Sequence, residues 1–179
     1  MKPPLEESIT EAIVIGASRT PIQDIEYPIR QLVEIALRAL SPGVNDPFTA
    51  IAVIDRLAGS IATIMTRGEP QSVWQDENDV VRMLLPTASF DGILDAAFNQ
   101  IRQAGAGQPA ILICLVDRLG QLLGQANDRQ AKPIMRHIER TRATVEESVR
   151  DDSDRTACLT RADEAARMQS KADRDESSG

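Results

Sequence analysis

The side chains best equipped for chemistry in this chain crowd around one turn. Arg19, Gln23, Asp24, Arg30, Arg38, Ser41, Asn45, Asp46 and Thr49 form its densest set of polar groups beside apolar runs. Such a set could recognise a small ligand or anion. Backbone amides at the start of a helix opened by Asp46-Pro47 attract negative charge, and arginines add charged hydrogen-bond donors. The ligand-binding candidates are therefore Arg19, Asp24, Arg30, Arg38, Asn45 and Asp46, with hydrolysis as an extension of the same site. The competing reading is structural: Asp46 caps the helix, Ser41 and Asn45 bond turn amides, and the arginines pair with Asp24, Glu34 or Asp55. It carries more weight, because a carboxylate at position 46 repels an anion from that helix end.

Other chemistries find less support. Asp24, Asn45, Asp46 and Asp55 offer the oxygens a hard cation wants, but Asp55 lies about 13 Å beyond Asp46 along a helix rising 1.5 Å per residue. Those two cannot share one ion, and no metal is expected. The single histidine, His137, has no serine or cysteine partner nearby and reads as a solvent-facing or interface residue. Cys114 lies beside an apolar stripe and reads as inert. Cys158 has Arg155 and Arg161 to lower its pKa, but Asp151, Asp152 and Asp154 oppose them. Two cysteines and one histidine fall short of the roughly four N/S ligands of a structural zinc site. No GxSxG, phosphate loop or dinucleotide fingerprint is present. No catalytic residue and no cofactor is expected.

The elements that must position these groups follow from composition and period. The chain has 179 residues, long enough for one ordinary domain, with net charge -7 and five aromatic residues. Acidity and scarce aromatics argue against a nucleic-acid surface. The longest apolar stretch near the N-terminus, Ala12 to Ile15, is far short of a membrane helix, and no secretory signal is evident. Apolar stripes at Ile29 to Leu40, Phe48 to Met65, Phe90 to Ile101 and Leu112 to Leu123 have helical spacing. Asp46, Ser89 and Pro109 mark starts, and Ser41-Pro42-Gly43 a stop at which Gly43 can take positive φ. Two thinner helices are expected from about Lys132 to Arg150 and Arg155 to Met168. Val80 to Leu85 reads as a short strand or connector whose partner could be Ala12 to Ile15. The fold class expected is mainly α: a bundle of about five to six helices with at most a short two-stranded β element. Residues 1–150 form the expected domain, and 151–179 a weakly packed helix and disordered charged tail.

The run Arg30 to Ala50, with its Ala-Leu-Ser-Pro-Gly-Val-Asn-Asp-Pro-Phe centre, resembles the bacterial family of predicted membrane proteins called domain of unknown function 2254. Arg19-Thr20, Gln23-Asp24 and Ala97 to Arg102 extend the resemblance over about residues 12–124. It implies a cell-membrane context in which spanning helices precede a soluble C-terminal portion; those helices are absent from this chain. It supplies no catalytic residues. The expected function is a non-enzymatic helical domain of a membrane-associated bacterial protein. It would act through protein contacts and form a homo-oligomer along the helix that starts at Pro47. The expected location of the chain alone is soluble and cytoplasmic, with reduced thiols. Arg136, Arg140 and Glu147 belong to a charged helix read as a solvated surface, with an interaction helix as the alternative.

Overall fold

The computed structural model describes residues 25–67, 72–85 and 87–176, with side chains as far as Met168. Among them are, in order, α1 (Glu26–Ala39), α2 (Pro47–Met65), strands β1 (Val73–Gln75) and β2 (Val81–Leu84), α3 (Phe90–Ala104), α4 (Pro109–Leu123), α5 (Asp128–Ser148) and α6 (Asp152–Glu176). The fold is mainly α, and the two strands form an antiparallel hairpin.

Each helix begins where its local chemistry places it. Asp46 accepts from the Thr49 amide at the head of α2, where Pro47 needs no partner for the N–H it lacks. Ser89 accepts from the Gly92 amide at the head of α3. At α5, Asn127 and Gln130 form a reciprocal capping box. That box starts α5 a turn earlier than Lys132 and leaves Pro133 inside the helix.

Five helices close a circuit: α1 packs on α2 and α3, α2 on α4, α4 on α5, and α5 back on α3. Ile54, Leu57, Ile61, Leu94, Phe98, Ile101, Leu115 and Leu119 fill its centre and are almost wholly buried. Burial of each contributes about 1.5–3 kcal/mol. α2 has the length and composition to cross a membrane; here its buried residues join the core, while Asp55, Arg56, Gly59, Ser60 and Thr63 are exposed.

α6 docks on α4 and α5 through small residues. Ala162 and Ala165 are buried, and a Cβ placed on Gly120 of α4 would lie 2.8 Å from the Ala165 Cβ. Its alanines thus give little area but a close approach. Arg142 of α5 adds an ion pair to Asp163 at 2.6 Å. A second small core joins Leu112, Val145, Val149 and Cys158. Residues 177–179 lie outside the described residues.

Two details depart from expectation. β2 pairs with β1, Val73 opposite Leu84 and Trp74 opposite Met83; Ala12 to Ile15 lies outside the described residues. The positive φ of the α1–α2 corner falls on Asn45, at 48°, and Gly43 does not have one. The amides of Val44 and Asn45 both donate to the Ser41 carbonyl, at 3.0 and 2.9 Å, so the chain keeps turning past Gly43. The reversal then falls on Asn45, a residue type that tolerates the left-handed region.

Candidate functional site

The corner spends its polar groups on its own backbone. Asp46 accepts from the Thr49 amide at 3.1 Å and the Thr49 hydroxyl at 2.6 Å. The hydroxyl bond foremost holds its carboxyl below the ordinary range. Ser41 Oγ donates to the Arg38 carbonyl at 2.7 Å. Arg38 pairs with Glu34 at 2.6 Å and Arg30 with Glu26 at 2.9 Å, each along exposed α1. Arg30 stands about 15 Å from Leu40 along the helix axis, at 1.5 Å per residue. Asn45 and Asp46 therefore share the corner, whereas the guanidinium groups of Arg30 and Arg38 are bonded elsewhere. Arg19, Gln23 and Asp24 lie outside the described residues. Asp55, the remaining carboxylate considered for a cation, accepts from Arg118 Nε of α4 at 2.6 Å.

A larger polar cluster lies in the seam between α3 and α5. The two helices run parallel: successive contacts link Asp91 to Arg136, Asn99 to Arg140, Arg102 to Thr144 and Gly107 to Ser148. Arg136 forks onto Asp91, at 2.9 Å through Nη1 and 2.5 Å through Nη2, and reaches Asp95 at 3.1 Å. Its bond to Asp91 raises the guanidinium pKa. Asp95 also takes Arg140 at 3.3 Å and the Asn99 amide at 2.9 Å. Burial works against the charge of Asp95, but the Asn99 bond and the neighbouring cations prevail and its pKa is lowered. Farther along, Arg102 Nη1 donates to Thr144 Oγ1 at 2.6 Å.

His137 stands behind this line, only 1% exposed. It was expected at a surface or interface. It is buried instead because it shares the α5 stripe of Ile134, Ile138 and Thr141 that faces inward. Its ring meets Phe98 edge-on, with centroids 6.2 Å apart, and its Nε2 lies 3.1 Å from Asp95 Oδ1 without hydrogen-bond alignment. Burial, against the attraction of Asp95, pushes its pKa down to about 4. The imidazole is neutral at pH 7. Arg136 and Arg140, read from the sequence as a solvated charged face, are likewise turned toward α3.

Two open grooves flank the seam. One of about 870 Å³ lies at the N-terminal ends of α3 and α5, beside Asp91, Lys132, Arg136 and Glu139. The other, about 750 Å³, lies between α1 and α3 and includes Arg30, Glu34, Asp95 and Asn99. Both carry mixed charge, and acids and arginines neutralise one another along them. His137 is too enclosed to meet a substrate. Of the thiols, Cys114 is pushed up to about 11 by burial and by Asp55, and burial also raises Cys158. Neither is an activated nucleophile. Among the described residues, no three His, Cys, Asp or Glu side chains gather to hold a metal ion.

The sequence alone did not mark Asp91, Asp95, Asn99 or Arg102 as site residues, although Asn99 and Arg102 fall in the run that carries the family resemblance. A signal existed: these residues repeat about every four positions on α3, as Arg136, Arg140 and Thr144 do on α5.

Comparisons with known proteins give a consistent result. The family model DUF2254, described as "Predicted membrane protein", matches residues 1–121. Uncharacterized proteins of Mycobacterium bovis and Mycobacterium tuberculosis are 34% identical over 155 residues, which is 86% of this chain and 30% of theirs. The chain thus spans under a third of the length of the curated relatives it matches. No solved structure matches it.

Proposed function

Since the chain belongs to the DUF2254 family of predicted membrane proteins, we propose that it is a non-enzymatic helical domain of a membrane-associated protein, acting through protein contacts by self-association at the exposed end of α2. The observation that carries this reading is Phe48. In the first turn of α2 it is 82% exposed, and neighbouring Val44 is 63% exposed. Most of the remaining apolar arc of α2 is buried within the chain, which narrows the contact face to this end. A ring so exposed gains by meeting its own copy across a two-fold axis, where one patch serves both partners. The pairing of polar groups in the seam also favours a contact role over a catalytic one. The free thiols of Cys114 and Cys158 suit a reducing compartment, which supports a cytoplasmic position.

Sedimentation equilibrium over a concentration series tests the self-association. The expected result is a dimer that dissociates on dilution and is lost in Phe48→Ser. A monomer at every concentration would overturn the reading.

A further inference from the structure

We propose that the β1–β2 hairpin is a lipid-contacting ribbon that lies in the headgroup layer of a bilayer and holds this domain against the membrane surface. Trp74, Val80, Val81, Met83, Leu84 and Leu85 are all exposed, Leu84 by 70% and Trp74 by 46%. None belongs to either apolar core. Directly opposed residues of an antiparallel pair point to the same face. Val73 with Leu84 therefore forms one apolar face, and Trp74 with Met83 the other. Strands apolar on both faces belong to buried sheets, and a two-stranded hairpin alone is marginal in water. A protein partner laid on the ribbon covers one face. A headgroup layer surrounds both.

Two observations select lipid as the occupant. The family is one of predicted membrane proteins, and the ribbon carries a tryptophan, the residue type enriched where membrane meets water. Charge sets the depth and the lipid type. Asp76, Glu77 and Asp79 at the turn outweigh Arg82, leaving three acids and one base, net -2; Arg82 pairs with Asp76 at 2.7 Å. Carboxylates do not enter hydrocarbon. The contact is therefore shallow and favours zwitterionic over anionic lipid. It involves different residues from the Phe48 contact and stands independently of it.

Trp74 is the only tryptophan in the chain, so its emission reports on the ribbon directly. With vesicles of phosphatidylcholine, the emission of the full chain should move to shorter wavelength and the chain should float with the vesicles. Adding phosphatidylserine should weaken the partition at low salt. Val81→Ser combined with Leu84→Ser should lower it roughly tenfold or more, with unchanged helical circular dichroism; Phe48→Ser should leave it intact. Emission unmoved by vesicles overturns the proposal, as does binding that strengthens with phosphatidylserine. Two other outcomes assign another occupant and overturn it equally. A shift with protein concentration in vesicle-free buffer indicates a second copy, and short-wavelength emission in dilute vesicle-free chain indicates cover by the chain itself.

Discussion

The α1–α2 corner and the α3–α5 seam are both rich in charge, yet they stabilise the molecule differently. At the corner these side-chain bonds join residues three or four apart: Arg30 to Glu26, Arg38 to Glu34, Ser41 to Arg38, Asp46 to Thr49. These shape one turn and two helix ends. In the seam the partners stand 41 to 45 residues apart, from Arg136 with Asp95 to Arg136 with Asp91. Such bonds align whole helices in register, and behind them His137 is buried. Exposed local pairs contribute a few tenths of a kcal/mol each, whereas a buried polar group leaves a large deficit when its surroundings change. The same residue types thus serve local geometry in one place and tertiary alignment in the other.

Substitutions should separate the two regions. The largest effect is expected at His137, where His137→Ala removes a buried ring packed on Phe98 and should cost about 2–4 kcal/mol in urea unfolding. A corner substitution matching that loss would break the distinction.

Acid should strike the seam through the same residue. The folded pKa of His137, about 4, lies below the ordinary 6.5, so between these values the unfolded chain binds the extra proton. Stability is therefore full above about pH 6.5 and falls as pH drops toward 4. The loss approaches about 3 kcal/mol, since each pKa unit corresponds to 1.36 kcal/mol. The charges facing the ring, Asp95 from α3 with Arg136 and Arg140 on α5, are included in that pKa. Unfolding curves at a series of pH values check this, and His137→Gln should flatten the slope in that window.

Asp95→Asn should cost less, about 1 kcal/mol, because solvent reaches the carboxylate and screens its pairs. The loss should shrink in high salt. The corner should lose no more than that. Asn45→Ala removes the short polar side chain that makes the left-handed region tolerable at φ 48° and should lower stability by up to about 1 kcal/mol, while Asn45→Gly should be close to neutral in thermal melts. If Asn45 served a ligand instead, both changes would remove ligand-induced stabilisation and leave the ligand-free melting point unmoved.

The helices were legible wherever a stripe met a cap or a proline, as at Asp46-Pro47-Phe48, Ser89-Phe90 and Pro109. Legibility failed where the deciding partner was distant or the signal was shared. Asn127 with Gln130 is a local cap, but the expected start at about Lys132 lay a turn beyond it. Glycine made Gly43 the natural place for a reversal, until consecutive bonds to Ser41 carried the bend on to Asn45. The corner's structural pairs, Arg38 with Glu34 and Asp46 as cap, were readable because they lie within one turn. The seam was not. Spacing puts Asp91, Asp95 and Asn99 on one stripe, but only the parallel packing of α3 on α5 supplies Arg136 and Arg140 as partners. His137 shows the same limit, since its neighbours Arg136 and Arg140 suggested a wet face while its ring follows Ile134 and Ile138 inward.

The most direct test of the seam as a brace with a dry inner side is an NMR pH titration of the imidazole protons of His137, the only histidine in the chain. The expected result is a pKa well below 6.5, near 4, with the ring neutral throughout the physiological range. A pKa at or above 6.5 would contradict it, because the ring would then be hydrated or held as a cation against Asp95, and the seam would be open to a ligand.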